Sequence, residues 1–170
     1  PNTVAGAVRS ARSLGAKMLT VHTGGGGEML RRAQAEAGEE TTILGVTLLT
    51  SMGEEDLAPA AIVGPPAETV TTRAALARES GIGGIVCSPK EVAAVRKVVG
   101  PDTVLVIPGN RPSGADVGDQ KRAATPKSAI RDGADYLVIG RRIRAADDPA
   151  AAADAIAEEI QQALVEEASA

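Results

Sequence analysis

Aromatic residues are almost missing from this chain: Tyr136 is the sole one, with no Trp and no Phe among 170 residues. A core built without them must be packed from Ala, Val, Leu and Ile, and platforms for stacking bases are excluded. The one cysteine, Cys87, cannot form an internal disulfide. With one histidine, His22, it cannot build a tetrahedral zinc site without several carboxylates, so no structural metal is expected. Excess basic charge is also lacking. Against 18 Lys and Arg stand 22 Asp and Glu, a formal net charge of −4, so nucleic acid is not an expected partner and any anion must be bound locally. No apolar run approaches the ~20 residues that cross a bilayer, and the N-terminus has no basic stretch leading into an apolar one. A soluble cytoplasmic protein with no membrane partner is the expectation.

What is present is a globular balance of 44% hydrophobic and 24% charged residues, in a length that suits one domain over residues 1–170. Strand and helix patterns alternate throughout, which predicts a parallel α/β protein. Strands are expected at Lys17 to Thr23, Thr42 to Leu49, Gly84 to Cys87, Thr103 to Ile107 and Tyr136 to Ile139. Helices are expected at Thr3 to Leu14, Glu28 to Ala37 and Ala67 to Ser80, from Pro89 to Gly100, from Thr125 to near Gly133, and from Pro149 to about Glu167. The region from Leu57 to Pro66 has no regular pattern. Five such repeats suggest part of a (β/α)8 barrel, of which a complete example typically needs ~250 residues. An open flavodoxin-like sheet, also five-stranded and parallel, is the competing architecture.

Two stretches carry the chemistry. PGNRPSGADVGDQKR at Pro108 to Arg122 and YLVIGRR at Tyr136 to Arg142 each place glycine and arginine directly after a β-branched apolar run. The runs TVLVI and YLVI are short and continuous, as expected of strands buried on both faces of a parallel sheet, so their C-terminal ends open onto a ligand face. Gly109, Gly114 and Gly118 allow a sharp turn that brings backbone N–H groups near an anion, and Arg111 and Gln120 add side-chain donors. Gly140 and Arg141 form a second arm. The planar fork of arginine can donate two bonds at once to a phosphate.

Other candidates carry less. His22 is at a strand end and reads as structural or as part of a substrate shell rather than as a general base. Cys87, on a short buried strand, reads as a small apolar residue. Glu54, Glu55 and Asp56 follow Gly53 in the manner of a solvated helix start, and the acidic stretch Glu158 to Glu167 has the same bland reading. The run Gly24 to Gly27 adds flexibility after a strand and is weak evidence for anion binding.

PNTV at Pro1 to Val4, VH at Val21 and His22, VTLLTSM at Val46 to Met52, GIVCS at Gly84 to Ser88, the long glycine loop, and DYLVIGR at Asp135 to Arg141 together closely resemble orotidine 5'-phosphate decarboxylase. The resemblance covers essentially the whole chain and preserves the order of the motifs. It implies an incomplete TIM (β/α)8 barrel of five parallel strands alternating with helices, lacking the first three strands. It also implies a cofactor-free decarboxylation of orotidine 5'-monophosphate (OMP) to uridine 5'-monophosphate (UMP), and a homo-oligomer, a dimer or higher. By the same resemblance Gln120, Arg141 and backbone groups near Gly140 hold the substrate phosphate, with Arg111 on the phosphate side. Thr50 and Ser51 contact the ribose or pyrimidine, Pro108 flanks the base, and Thr3 reaches the ribose of a neighbouring subunit. One departure is Asn110, where the family more often has an apolar residue. A larger one is the family's Asp-x-Lys-x-x-Asp motif, whose lysine protonates the carbon left by carbon dioxide. It precedes the residues matching Pro1, and its spacing does not occur in these 170 residues. No residue of this chain is therefore assigned the catalytic role. The alternative expectation is an inactive shortened homologue that self-associates and keeps only a nucleotide-phosphate site.

Overall fold

Each β-branched apolar run becomes a strand and each helical spacing a helix, so the alternation written in the sequence is the alternation of the fold. The computed structural model describes residues 1–110 and 124–168. Its strands are β1 (Met18–His22), β2 (Thr42–Val46), β3 (Gly84–Val86), β4 (Val104–Pro108) and β5 (Tyr136–Val138). The helices are α1 (Asn2–Ser13), α2 (Gly27–Ala37), α3 (Glu54–Leu57), α4 (Pro66–Glu79), α5 (Val92–Val99), α6 (Pro126–Arg131), α7 (Arg141–Arg144) and α8 (Pro149–Ala168). The Thr125 side chain caps α6 by accepting from the Ser128 N–H at 3.1 Å, with Pro126 in the first turn.

All five strands are parallel and lie in chain order, β1-β2-β3-β4-β5. That order decides between the two architectures. Right-handed crossovers that always step in one direction place every helix on the same face, whereas the flavodoxin order 2-1-3-4-5 reverses direction and covers both faces. The side chains agree. Val21, Ile43, Ile85, Leu105 and Ile107 point to one side and join the core formed with α1, α2, α4, α5, α6 and α8. Their neighbours Leu44, Val46 and Val106 point to the other side and stay outside that core cluster, although buried. This is a sector of a (β/α)8 barrel.

Two glycines set how closely the layers meet. A Cβ on Gly45 would stand 3.2 Å from the Ala77 Cβ, so its absence lets α4 approach the sheet. On the far face a Cβ on Gly84 would stand 2.5 Å from Leu44 Cδ2 and 2.9 Å from the Val104 carbonyl oxygen. Leu44 occupies that space and is 3% exposed.

Three expectations are corrected. The YLVI run is not buried on both faces: Tyr136 and Val138 are 53% and 54% exposed, because β5 is an edge strand with no outer neighbour among the described residues. TVLVI behaves as expected, with Leu105, Val106 and Ile107 buried between neighbours on both sides. The strand expected to run to Leu49 ends at Val46, and Thr47 continues the pairing only by bonds from its N–H and its Oγ1 to the Val86 carbonyl. The glycine run is ordered structure, since Thr23–Gly25 form a 3-10 turn and Gly26, with φ +84°, begins α2.

Candidate functional site

The C-terminal ends of parallel strands share one rim of the sheet, and the chain leaves that rim through loops free to carry binding groups. Between β4 and β5 the rim opens into a cleft of about 210 Å³ lined by Pro108, Gly109, Asn110, Val138, Ile139, Gly140, Arg141 and Arg142. Its geometry follows from register. Val106, Ile107 and Pro108 pair with Tyr136, Leu137 and Val138, so Gly109 and Asn110 emerge beside Ile139 and Gly140. Gly109 turns with φ +78°, a conformation that disfavours any residue with a Cβ. At Gly140 the chain bends into α7, where the N–H groups of Ile143 and Arg144 donate to the Gly140 carbonyl, and an added Cβ would meet only open space.

Asn110 is 4% exposed and pairs with Ala124 in an isolated parallel bridge. The bridge brings residues 110 and 124 together beside the cleft. The Asn110 Nδ2 donates to the Ile107 carbonyl oxygen, while Oδ1 has no hydrogen-bond partner among the described residues. An unsatisfied buried acceptor ordinarily costs about 1–3 kcal/mol.

Of the residues assigned from sequence, the structure brings Pro108, Gly140 and Arg141 together in this cleft. Arg111 and Gln120 lie outside the described residues. Thr50 and Ser51 are on the same rim, in the turn closed by Met52 N–H donating to the Leu49 carbonyl, but they follow β2, two strands away from β4. Thr3 is exposed in the first turn of α1, the helix leading into the opposite edge strand β1. That helix is held by Arg9, which forms two hydrogen bonds to Glu36 at 2.9 and 2.7 Å, and by Arg12 donating to the Glu36 carbonyl. The Arg9 hydrogen bonds hold the Glu36 carboxyl below its usual range.

His22 ends β1 at the far edge, exposed, and takes no part in the cleft. Asp56 acts as the helix-start reading expects, its carboxylate accepting from the Gly53 N–H at 2.8 Å. Cys87 is fully buried. Among the described residues no group of three His, Cys, Asp or Glu is placed to hold a metal ion. No helix among them is long and apolar enough to cross a membrane.

Two residues, Arg142 and Lys90, escaped the sequence reading, and the place of a third was not legible there. Arg142 lines the cleft beside Arg141, and a doubled arginine was the available signal. Asn110, legible in the sequence only as a departure from the family's apolar residue, is a wall of the cleft, which its burial reveals. Lys90 follows β3 on the cleft's own rim, whereas Lys17 precedes β1 at the opposite rim.

Comparison with known proteins agrees with this geometry. A family model described as "Orotidine 5'-phosphate decarboxylase / HUMPS family" matches residues 1–156. An orotidine 5'-phosphate decarboxylase of Anaeromyxobacter dehalogenans is 56% identical over 157 residues, covering 92% of this chain and 69% of that protein. One from Thermobifida fusca is 52% identical over 162 residues, covering 95% and 69%. The crystal structure of orotidine 5'-phosphate decarboxylase from Lactobacillus acidophilus superposes with a TM-score of 0.81 at 36% identity, over 94% of this chain and 70% of that one. A row of five βα units in barrel order, a glycine and arginine cleft at its last two strand ends, and identity above half make the conclusion direct: this chain is a member of the orotidine 5'-phosphate decarboxylase family, with the fold of a truncated TIM barrel.

Proposed function

We propose that these residues form the phosphate-binding half of an orotidine 5'-phosphate decarboxylase site in pyrimidine biosynthesis, with OMP and UMP as ligands and the proton donor lying outside them. The observation that carries this reading is the cleft itself, where Gly140 and Arg141 face Pro108, Gly109 and Asn110 across adjacent strand ends. Within it Arg141 and the Gly140 backbone bind the phosphate, joined by Gln120 and Arg111 from the neighbouring segment. Pro108 flanks the base, Thr50 and Ser51 serve the ribose or pyrimidine from the same rim, and Thr3 serves the site of a second subunit.

A carbanion-like transition state needs a positioned proton donor and preorganised charge at the reacting carbon, which a phosphate grip does not supply. The purified 170-residue chain is accordingly expected to bind UMP without turning over OMP above the uncatalysed background. Decarboxylation followed by loss of OMP absorbance, alongside a UMP titration, separates the two halves. Turnover at an ordinary enzymatic rate overturns the separation, and Lys90, the lysine following β3 on the cleft's rim, is then the first residue to replace. If Gln120→Ala leaves UMP affinity unchanged, that residue's assignment fails.

The second reading, a non-catalytic homologue that self-associates, is favoured by the sheet edges. Strands β1 and β5 have no outer neighbours among the described residues, and Met18, Tyr136 and Val138 expose apolar surface there. Unpaired parallel edges flanked by such surface are templates for another chain. Light scattering at micromolar concentration is expected to give a dimer or larger species under either reading. A stable monomer sinks this part of the proposal.

A further inference from the structure

The end of β2 is fastened from outside the sheet. Where α4 lies on β2, Ala77 stands against Gly45; one helical turn toward the rim from Ala77 is Arg73, and two strand residues beyond Gly45 is Thr47. A helical turn rises about 5.4 Å and two strand residues span about 6.6 Å, so Arg73 comes level with the residue at which β2 has just ended. There Arg73 Nη1 donates to the Thr47 carbonyl at 2.7 Å. Thr47 is 1% exposed, and its N–H and Oγ1 both donate to the Val86 carbonyl. It is therefore held by β3 within the sheet and by α4 across the layer. Leu48 is buried after it, Leu49 is exposed, and Thr50 and Ser51 follow in the turn that the Met52 N–H closes.

From this placement we infer that Arg73 is a positioning residue for the nucleotide: by fixing the Thr47 carbonyl it sets the turn that presents Thr50 and Ser51 to the ribose or pyrimidine. The inference rests on the nucleotide reading above and adds to it a residue that touches no ligand. A bond from a charged donor is stronger than a neutral one, and the carbonyl it serves belongs to a buried residue. Without that bond the turn gains freedom, and binding must then supply the ordering that the fold had supplied. The cost falls on a ligand that reaches the turn. It spares one held only at the ends of β4 and β5, since the turn follows β2, two strands away from β4.

Calorimetric titration with UMP and inorganic phosphate, together with amide exchange at Met52, tests it. Arg73→Ala is expected to weaken UMP binding roughly 3- to 10-fold, the range of one neutral hydrogen bond, while inorganic phosphate affinity stays within about twofold. Arg73→Met keeps the apolar stem and removes the donor, so it should match alanine. Arg73→Lys keeps a cationic donor and should recover part of the loss. In a background of Thr50→Ala with Ser51→Ala, Arg73→Ala should cost nothing further, because the hydroxyls it places are gone. Without ligand, Arg73→Ala should speed exchange of the Met52 amide by roughly 10-fold and leave that of Leu105, inside β4, unchanged. Unchanged UMP affinity in Arg73→Ala overturns the inference, as does an equal loss for inorganic phosphate, an equal loss in the Thr50→Ala, Ser51→Ala background, or full affinity in Arg73→Met. The nucleotide reading fails separately. If Thr50→Ala with Ser51→Ala binds UMP as tightly as the unsubstituted protein, those two assignments fall, and exchange at Met52 still decides whether Arg73 holds the turn.

Discussion

Arg141→Ala is expected to weaken UMP binding by about 10- to 100-fold, the equivalent of about 1.4–2.8 kcal/mol. In the proposed site Arg141 faces the strand end of β4 across the cleft and meets a dianion with a planar donor pair. Its exposure lowers the figure, since solvent and salt screen an exposed charge more than a buried one. Two further measurements make the result specific. Arg141→Lys keeps the charge but not the fork, so it should recover only part of the affinity. Raising the salt concentration should weaken the unsubstituted protein more than the alanine variant, because the charge on which screening acts has gone. Arg142 lines the same cleft, and replacing both arginines should exceed either single loss. Unchanged affinity in Arg141→Ala removes the basis for a phosphate grip at these strand ends.

Arg96→Ala is expected to lower the free energy of unfolding by about 3 kcal/mol, read from denaturant titration. Arg96 reaches out from α5 to join the N-terminal ends of β4 and β5. Its guanidinium donates to the carbonyls of Gly100 at 2.8 Å, Thr103 at 2.7 Å and Gly133 at 2.6 Å, and to Asp135 Oδ2 at 2.7 Å. Asp135 Oδ2 also accepts from the Leu105 N–H, so the pair ties β4 directly to the residue preceding β5. The Arg96 side chain is only 20% exposed, and its removal leaves several carbonyls without their donor. Lysine cannot span these acceptors in one plane and should restore little. The cleft is at the opposite ends of the same two strands. The fraction of Arg96→Ala still folded should therefore bind UMP with nearly unchanged affinity, which separates a stability effect from a site effect. A loss below about 1 kcal/mol would show that water replaces the network.

The sequence made the strands legible because buried parallel strands are written as continuous apolar runs, and Thr103 to Ile107 fulfils that rule. It misled at Tyr136 to Ile139, since the same composition serves an interior strand and an edge strand, and only the presence of a neighbour distinguishes them. Helices α3 and α7 span four residues each, too few to show a period. The glycines and arginines of the cleft could be read because their types are unusual after a strand. Asn110 was legible only as a departure from the family's apolar residue, for its burial and its place in the cleft wall follow from the pairing of strand ends. Lys90 passed unnoticed because a lysine's rim is set by which end of a strand it borders, a fact of topology rather than of residue type.

Strand order has one more consequence. Each βα unit touches mainly the units before and after it, so the protein behaves as a short row, and the unit built on β5 closes that row. Terminal units of a row lose their structure at less cost than interior ones. The cleft spans the last two strands, so a ligand held there fastens the end unit to its neighbour. Every opening of β5 releases that ligand, so occupancy protects the β5 amides from exchange by RT ln(1 + [L]/Kd), up to the stability of the whole row.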